Sequence, residues 1–221
     1  MRSIVLTITG LLLAGSVQAQ FGVRAGVNTT TITNKAVRTG QEASADTQTG
    51  YQVGVFYEHK LSEHLALVPE LQFSRQRTDL KVRDYSVSDG GYDATYQLQS
   101  NYLHLPILLR GSIGRFYAEA GPQASLQVAS HEKGTENIGS IAGAYQVSFD
   151  RSATDQYRRF DVGLVAGLGV RLPAGLAVGV RASTGLLSFT TPPQRSRPGY
   201  DGELRNQVLQ ASISYQFGPR S

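Results

Sequence analysis

The chain has 221 residues, no cysteine, no tryptophan, 24 glycines and a formal net charge of +4. Without cysteine it has neither a disulfide framework nor an N-terminal cysteine for lipid attachment. The basic residues are scattered and form no Lys/Arg-rich run, so this mild excess of positive charge gives no reason to expect a nucleic-acid partner.

The first residues predict a secretory signal peptide at 1–19. Met1-Arg2 is a basic start, an apolar segment follows at 4–14, and Val17-Gln18-Ala19 is a small-x-small cleavage site. Removal is expected after Ala19. The remaining residues, 20–221, show no linker or break in composition and suit a single β domain.

Alternation of apolar and polar residues between turn signals predicts eight strands after the signal peptide. They are expected at 21–30, 50–60, 65–76, 98–110, 115–128, 158–171, 175–188 and 206–217. The connections alternate between short turns and long polar segments, the latter at 31–49, 77–97, 129–157 and 189–205. An even number of strands with short turns at one end and long loops at the other is typical of an outer-membrane barrel.

The glycine-rich stretch from Phe160 to Leu186 tests this interpretation. It is not a dinucleotide-binding loop, because the third glycine of G-x-G-x-x-G would fall on Leu172. It is not a membrane helix either, because Arg171 and Pro173 interrupt it before about 18 apolar residues. A period of two fits throughout, and it predicts a β-hairpin with one apolar face and one small or polar face.

The apolar faces of all eight predicted strands lack Asp, Glu, Lys and Arg, as a surface in contact with lipid requires. Aromatic residues at both ends of these faces resemble two interfacial girdles. They are Phe21, Tyr57, Phe116, Tyr215 and Phe217 near the short turns, and Tyr51, Phe73 and Phe160 near the long loops. We therefore expect an all-β, eight-stranded, antiparallel transmembrane barrel with short periplasmic turns. A soluble barrel with its apolar residues inside would alternate in the same way.

The opposite faces combine glycine, serine and glutamine with a few charges, which suits the narrow lumen of a barrel of about eight strands. Buried charges have to be paired. The predicted lumen ion network consists of Arg24, Glu70, Glu119, Asp161 and Arg181. The alternative for these residues is a binding or proton-relay site. Three prolines, at positions 69, 106 and 122, fall inside predicted strands, where β-bulges are expected to accommodate them.

Other candidate sites are weaker. The four histidines have no metal-ligand spacing. His104 faces the lumen near Ser100, but no nucleophile motif accompanies it. We therefore expect no catalytic residues, metal or cofactor. The basic, aromatic segment with Arg195, Arg197 and Tyr200 is a candidate external loop for lipopolysaccharide or a protein partner.

Several segments together resemble the PorT-like outer-membrane β-barrel family of Bacteroidota. They are FGVRAGVN at 21–28, GYQVGVFYEHKLSEHLALVPELQFSRQ at 50–76, YLHLPILLR at 102–110, FYAEAGPQ at 116–123 and FDVGLVAGLGV at 160–170. The resemblance implies an eight-stranded barrel in the bacterial outer membrane, surrounded by outer-membrane lipid and inserted by the barrel-assembly machinery. It also implies that a few relatives serve a protein-secretion machine.

These observations predict a monomeric interaction protein with a filled lumen that works through its external loops, rather than an enzyme. A role as an accessory of protein secretion follows only from the resemblance. A small pore and a soluble periplasmic ligand-binding β-barrel remain open as alternatives, and an outer-membrane lipid hydrolase is less favoured.

Overall fold

The computed structural model describes residues 19–34, 41–84, 92–140, 143–154, 159–186 and 204–217. Almost all of the predicted signal peptide therefore lies outside the described residues. These described ranges contain ten strands: β1 Ala19–Asn34, β2 Gln41–Thr47, β3 Thr49–Lys60, β4 Leu65–Asp84, β5 Tyr92–Ile113, β6 Phe116–Ser140, β7 Gly143–Ser152, β8 Phe160–Arg171, β9 Leu176–Gly185 and β10 Leu204–Gln216. In the part of the chain that is described, no helix has the length and hydropathy needed to cross a membrane.

Eight of these strands form a closed antiparallel ring in the order β1, β3, β4, β5, β6, β8, β9, β10. The ring closes because β1 pairs with β3 on one side and with β10 on the other. The backbone of Phe217 extends this closure by donating a hydrogen bond to Phe21 at 2.8 Å. The predicted eight-stranded up-and-down barrel is confirmed, and closure leaves the ring without an unpaired edge.

The predicted outward register is confirmed as well. Side chains on the apolar face are exposed along every strand of the ring, including Leu105 at 50%, Leu164 at 53% and Val180 at 52%. The neighbouring positions point inward, where charged and polar side chains are buried. The girdle residues lie on the outer face and contact one another: the rings of Phe21 and Tyr57 are 4.9 Å apart. A soluble protein would bury its apolar side chains and expose its polar ones. The opposite arrangement seen here suits a protein surrounded by lipid.

Three strands are much longer than expected. The prediction ended β4 at 76, began β5 at 98 and ended β6 at 128, whereas they reach Asp84, Tyr92 and Ser140. The two remaining strands, β2 and β7, lie in segments that we predicted as loops. Alternation of apolar and polar residues continues there, as at Ala94, Tyr96 and Leu98 of β5. The prediction followed the many polar, glycine and serine residues of these segments instead and assigned them to loops.

These extensions form a second structure above the barrel, which we call the external sheet. Its strand order is β2, β4, β5, β6, β7, and β2 and β7 are its two edges. The sheet begins where β6 stops pairing with β8, at Leu126 and Phe160. One register shift in the β5–β6 pair, between Asn101 and Tyr102, lies next to this boundary.

The expectation of bulges at the prolines is wrong. Near Pro69, Pro106 and Pro122 the ladders skip pairs of residues but resume in the same register. The one register shift in β5–β6 lies opposite Val128 instead. A proline removes a single backbone donor, and the continuous strands on its other side hold the alignment without an extra residue.

Candidate functional site

The lower half of the lumen, near the short turns, contains a continuous chain of ion pairs. Seven side chains from seven strands take part, alternating in charge from one end to the other. In order they are Arg171, Glu58, Arg110, Glu119, Arg181, Glu70 and Arg24. We call this set the ion-pair chain. All but Arg171 are buried, and each charge lies within ion-pair distance of at least one opposite charge.

Glu119 on β6 is the centre of the ion-pair chain. Its Oε2 accepts hydrogen bonds from Nη2 of Arg110 at 2.6 Å and from Nε at 2.9 Å. Its Oε1 accepts a bond of 2.6 Å from Nε of Arg181. One carboxylate therefore holds two guanidinium groups from opposite sides, an arrangement in which charge-assisted bonds are strong and directional.

Two further carboxylates extend the chain toward the barrel wall. Glu58 accepts from Arg110 at 2.6 Å and from Arg171 at 3.0 Å. Glu70 accepts from Arg181 at 2.9 Å, and Nε of Arg24 lies 3.3 Å from the same oxygen. Each carboxylate bridges two arginines from different strands, so the chain ties together strands that are far apart around the ring.

The structure brings together Arg24, Glu70, Glu119 and Arg181 from the predicted network, but not Asp161. Gly167 of β8 lies opposite Glu119 on one neighbouring strand and opposite Arg181 on the other. Asp161 precedes Gly167 by six residues in β8. At about 3.3 Å per residue this places it roughly 20 Å away along the strand, toward the upper end of the barrel. Asp161 instead pairs with Ser125 near the upper end of the barrel. It was assigned to the network from its inward parity alone, which carries no information about height.

Arg110 was missed, although it connects Glu58 with Glu119. Arg110 and the lumen-facing His104 both have even numbers in β5. The alternation of the strand therefore predicts that Arg110 faces the lumen as well. We had treated position 110 as the end of the strand, whereas β5 continues to Ile113.

Aromatic rings and glycines fill the space beside the charges. The guanidinium of Arg110 lies 4.5 Å from the ring centroid of Tyr117 and 5.9 Å from that of Phe56. The Tyr117 ring lies directly against the backbone of Gly169 and Gly179, and a Cβ at Gly179 would be 2.7 Å from its hydroxyl oxygen. These glycines are therefore needed because a side chain there would displace the ring that packs on Arg110.

Replacing Gly169 with alanine tests this packing, since the new Cβ would overlap the Tyr117 ring. We expect the free energy of unfolding to fall by about 1–3 kcal/mol, as for other over-packed interiors. Gly111→Ala is the matched control, because a Cβ there meets nothing within 4 Å. Urea unfolding of both variants in lipid vesicles measures the difference, and equal losses would contradict the proposed packing.

The upper half of the lumen is polar but mostly uncharged. His104 is buried between two serines: its Nε2 lies 2.8 Å from Oγ of Ser74 and its Nδ1 lies 2.8 Å from Oγ of Ser125. The Tyr102 ring stacks on the imidazole at 5.6 Å. Ser100, which the sequence placed beside His104, contacts Ser130 and Gln127 instead. The histidine therefore fills the lumen, with both ring nitrogens in contact with hydroxyl groups.

Several buried amide groups in this upper half have no hydrogen-bond partner among the described residues. They include both polar side-chain atoms of Asn28 and Gln52, and Nε2 of Gln72. Their side chains come from β1, β3 and β4. Buried polar groups of this kind are the ones that water or a small polar solute binds. Arg24, Glu70 and Arg181 of the ion-pair chain also have buried polar atoms without a hydrogen-bond partner among the described residues. The upper lumen therefore differs from the chain below in offering mainly neutral amide groups.

On the outer face of the external sheet, Asp150 of β7 connects two basic residues of β6. Its carboxylate lies 2.5 Å from Nε2 of His131 and 3.2 Å from Nζ of Lys133. The hydrogen bond with His131, followed by that with Lys133, lowers the pKa of the Asp150 carboxyl below its ordinary value. The group is solvent-exposed and marks the external sheet as a surface of mixed charge.

Other candidate positions lie elsewhere. Arg195, Arg197 and Tyr200 are outside the described residues. Within the described ranges, no group of three or more His, Asp or Glu side chains is arranged to hold a metal ion.

Comparison with known protein families shows the class of molecule. A family profile described as "Outer membrane protein beta-barrel domain" matches residues 16–191. None of the curated proteins compared with the chain matches it.

Similar solved structures include three small outer-membrane proteins. Ail, the attachment invasion locus protein of Yersinia pestis, was solved with the heparin analogue sucrose octasulfate. It is 11% identical, with a TM-score of 0.47, covering 91% of this chain and 100% of Ail. Neisserial surface protein A is 11% identical, with a TM-score of 0.44 and coverage of 90% and 99%. OprG from Pseudomonas aeruginosa is 12% identical, with a TM-score of 0.40 and coverage of 91% and 97%.

Proposed function

Because the chain belongs to the outer-membrane β-barrel domain family, we propose that it is an interaction protein of the bacterial outer membrane. In this proposal the barrel is a membrane anchor with a filled lumen, and the external sheet is the working surface. The protein acts as a monomer with outer-membrane lipid around it.

The ion-pair chain is the observation that carries this proposal. Six of its side chains are at most 5% exposed, and their contacts cross the lumen from wall to wall. A path for solutes would have to break several charge-assisted hydrogen bonds in a poorly solvated interior, which is costly. At the same time, β4, β5 and β6 continue far beyond the ring to build the external sheet. The chain thus builds a sheet outside the barrel, where a partner can reach it.

The proposal includes no catalytic step. His104 and its serine neighbours, the one Ser–His arrangement that the described lumen presents, are buried inside the barrel. A hydrolase of membrane lipid or protein would need its nucleophile at a surface that the substrate can reach.

Site-specific photo-crosslinking in intact cells tests the interaction role. A photoreactive residue would replace Gln97 or Lys133, both exposed on the external sheet. Leu105 on the lipid-facing wall serves as the control position. We expect protein adducts of discrete mass from the two external positions and none from Leu105. Absence of adducts at both external positions, with the barrel correctly inserted, would contradict the proposal.

A role in protein secretion is a narrower hypothesis that rests on the PorT-like resemblance. It requires that the adduct from Gln97 or Lys133 contain a component of a secretion machine, which mass spectrometry of the adduct identifies. A lipopolysaccharide partner for Arg195, Arg197 and Tyr200 is tested in the same cells, by measuring whether alanine at these three positions alters lipopolysaccharide co-purification.

A small pore is the second candidate, favoured by the uncharged upper lumen. The unpartnered amides of Asn28, Gln52 and Gln72 provide sites for water or a polar solute above the ion-pair chain. Transport through the barrel would then require the chain to open.

A further inference from the structure

The strand β7, Gly143–Ser152, is an edge of the external sheet. Among the described residues it pairs with β6 alone, in one continuous register from Ser152 opposite His131 to Gly143 opposite Ser140. The strands of the ring have no free edge, because each of them pairs with a neighbouring strand on both sides. An edge of ten residues presents a row of backbone donors and acceptors to which another chain can pair.

The distal part of this edge lacks the features that usually protect an exposed strand. From Gly143 to Phe149 the sequence is GAYQVSF, with no charged residue and no proline. Its pairing with β6 shows no bulge. Natural edge strands are commonly protected by an inward-pointing charge, a lysine, a proline or a bulge. The nearest charges, Asp150 and Arg151, lie at the membrane-proximal end.

The four side chains from Tyr145 to Ser148 are exposed on both faces, whereas Phe149 packs against Tyr96 at a ring distance of 6.0 Å. Tyr145 is 56% exposed and Val147 is 43% exposed. Gln146 and Ser148, which alternate with them, are exposed on the other face. An added strand could therefore pair with the backbone and cover apolar side chains on one face at the same time. This combination of ladder hydrogen bonds and side-chain pockets is how strand addition gains both affinity and specificity.

We propose that β7 binds an extended segment of a partner protein by strand addition. The segment is uncharged, about seven residues long, and has apolar side chains at alternate positions to lie beside Tyr145 and Val147. This inference rests on the proposed interaction role and names the site and the kind of partner.

The proposed ladder is antiparallel, like the one between β6 and β7, and a second copy in the same membrane cannot supply such a ladder. Because β6 rises out of the barrel wall, the antiparallel β7 has a fixed direction relative to the membrane. Two copies inserted the same way are related by rotation about the membrane normal, which leaves their β7 strands pointing the same way. Antiparallel pairing would need one strand reversed. The occupant therefore comes from a different polypeptide, one free to run against β7.

The test uses a fluorescent synthetic peptide with the sequence of Gly143–Phe149 as the probe, because this segment is itself uncharged, seven residues long and apolar at alternate positions. Free in solution, it can run antiparallel to β7 in a register that places its Val147 opposite Tyr145 and its Tyr145 opposite Val147. Binding is measured by fluorescence anisotropy with the folded barrel in lipid nanodiscs. Hydrogen exchange then locates the amides that the peptide protects. We expect saturable binding, with added protection in β7.

Two matched variants determine where the peptide binds. Val147→Lys places a charge at the edge, whereas Thr95→Lys places the same charge on β5, inside the external sheet, where the side chain is also exposed. We expect Val147→Lys to weaken binding at least tenfold and Thr95→Lys to leave it unchanged. Unheated gel mobility confirms that both variants are folded. Equal weakening by both variants, or protection outside β7, would overturn the proposal.

Peptide binding and crosslinking together distinguish strand addition at β7 from the broader interaction role. If the peptide does not bind while Gln97 and Lys133 still give protein adducts in cells, strand addition is overturned and the interaction role stands. If neither experiment gives a signal, both proposals fail.

Discussion

Replacing Glu119 with glutamine is expected to lower the free energy of unfolding by about 3 kcal/mol, at the low end of what breaking a buried ion pair costs. The substitution keeps the size of the side chain but leaves the guanidiniums of Arg110 and Arg181 without their shared carboxylate. Both arginines are buried, so water cannot replace the lost partner without opening the lumen. Urea unfolding of the protein in lipid vesicles, followed by gel mobility without heating, measures the loss.

The matched control for this experiment is Glu63→Gln in the exposed turn between β3 and β4. It makes the same change of charge on the surface, where substitutions usually alter stability by less than about 0.5 kcal/mol. If the two variants unfold at the same urea concentration, the ion-pair chain does not stabilise the barrel.

Replacing Leu164 with arginine is the second large expected effect. Leu164 lies on the outer face of β8, between the girdle residue Phe160 and the lower end of the strand, and is 53% exposed. On the surface of a soluble protein an arginine at such a position would be tolerated. In a bilayer, a charge near the midplane of the lipid face costs about 2–4 kcal/mol. We therefore expect a large loss of stability in vesicles.

Ser148→Arg provides the comparison, because Ser148 is exposed on the external sheet outside the lipid. We expect it to unfold like the unmodified protein. Equal, small effects of arginine at positions 148 and 164 would mean that the outer face meets water, and the assigned direction of the two barrel faces would be wrong.

The membrane part of the fold could be predicted from the sequence because its environment imposes a strict pattern. Lipid allows no charge on one face, and the narrow lumen selects glycine, serine and paired charges on the other. The alternation in Phe160–Leu186 therefore gave the hairpin and the direction of both faces, as the exposed Leu164 and buried Arg181 show.

The external sheet could not be predicted in the same way. Above the boundary near Leu126 the constraint from lipid ends. The alternation of Tyr145, Val147 and Phe149 with polar residues in β7 was present in the sequence, but the charged, glycine and serine residues around it favoured a loop.

The height of Asp161 could have been inferred, because its neighbour Phe160 was predicted in the girdle near the long loops. Asp161 and Arg181 have inward parity in neighbouring strands, and the ladder register shows that Arg181 meets Glu119 while Asp161 lies well above.

Conductance in planar lipid bilayers tests the central claim, that the ion-pair chain closes the lumen. We predict that the unmodified protein inserts without producing current steps. The triple variant Arg110→Ser, Glu119→Ser, Arg181→Ser, shown to be folded by its unheated gel mobility, should produce discrete steps because the central part of the chain is gone. Stable current steps from the unmodified protein, one for each barrel inserted, would contradict the account and make the pore its function.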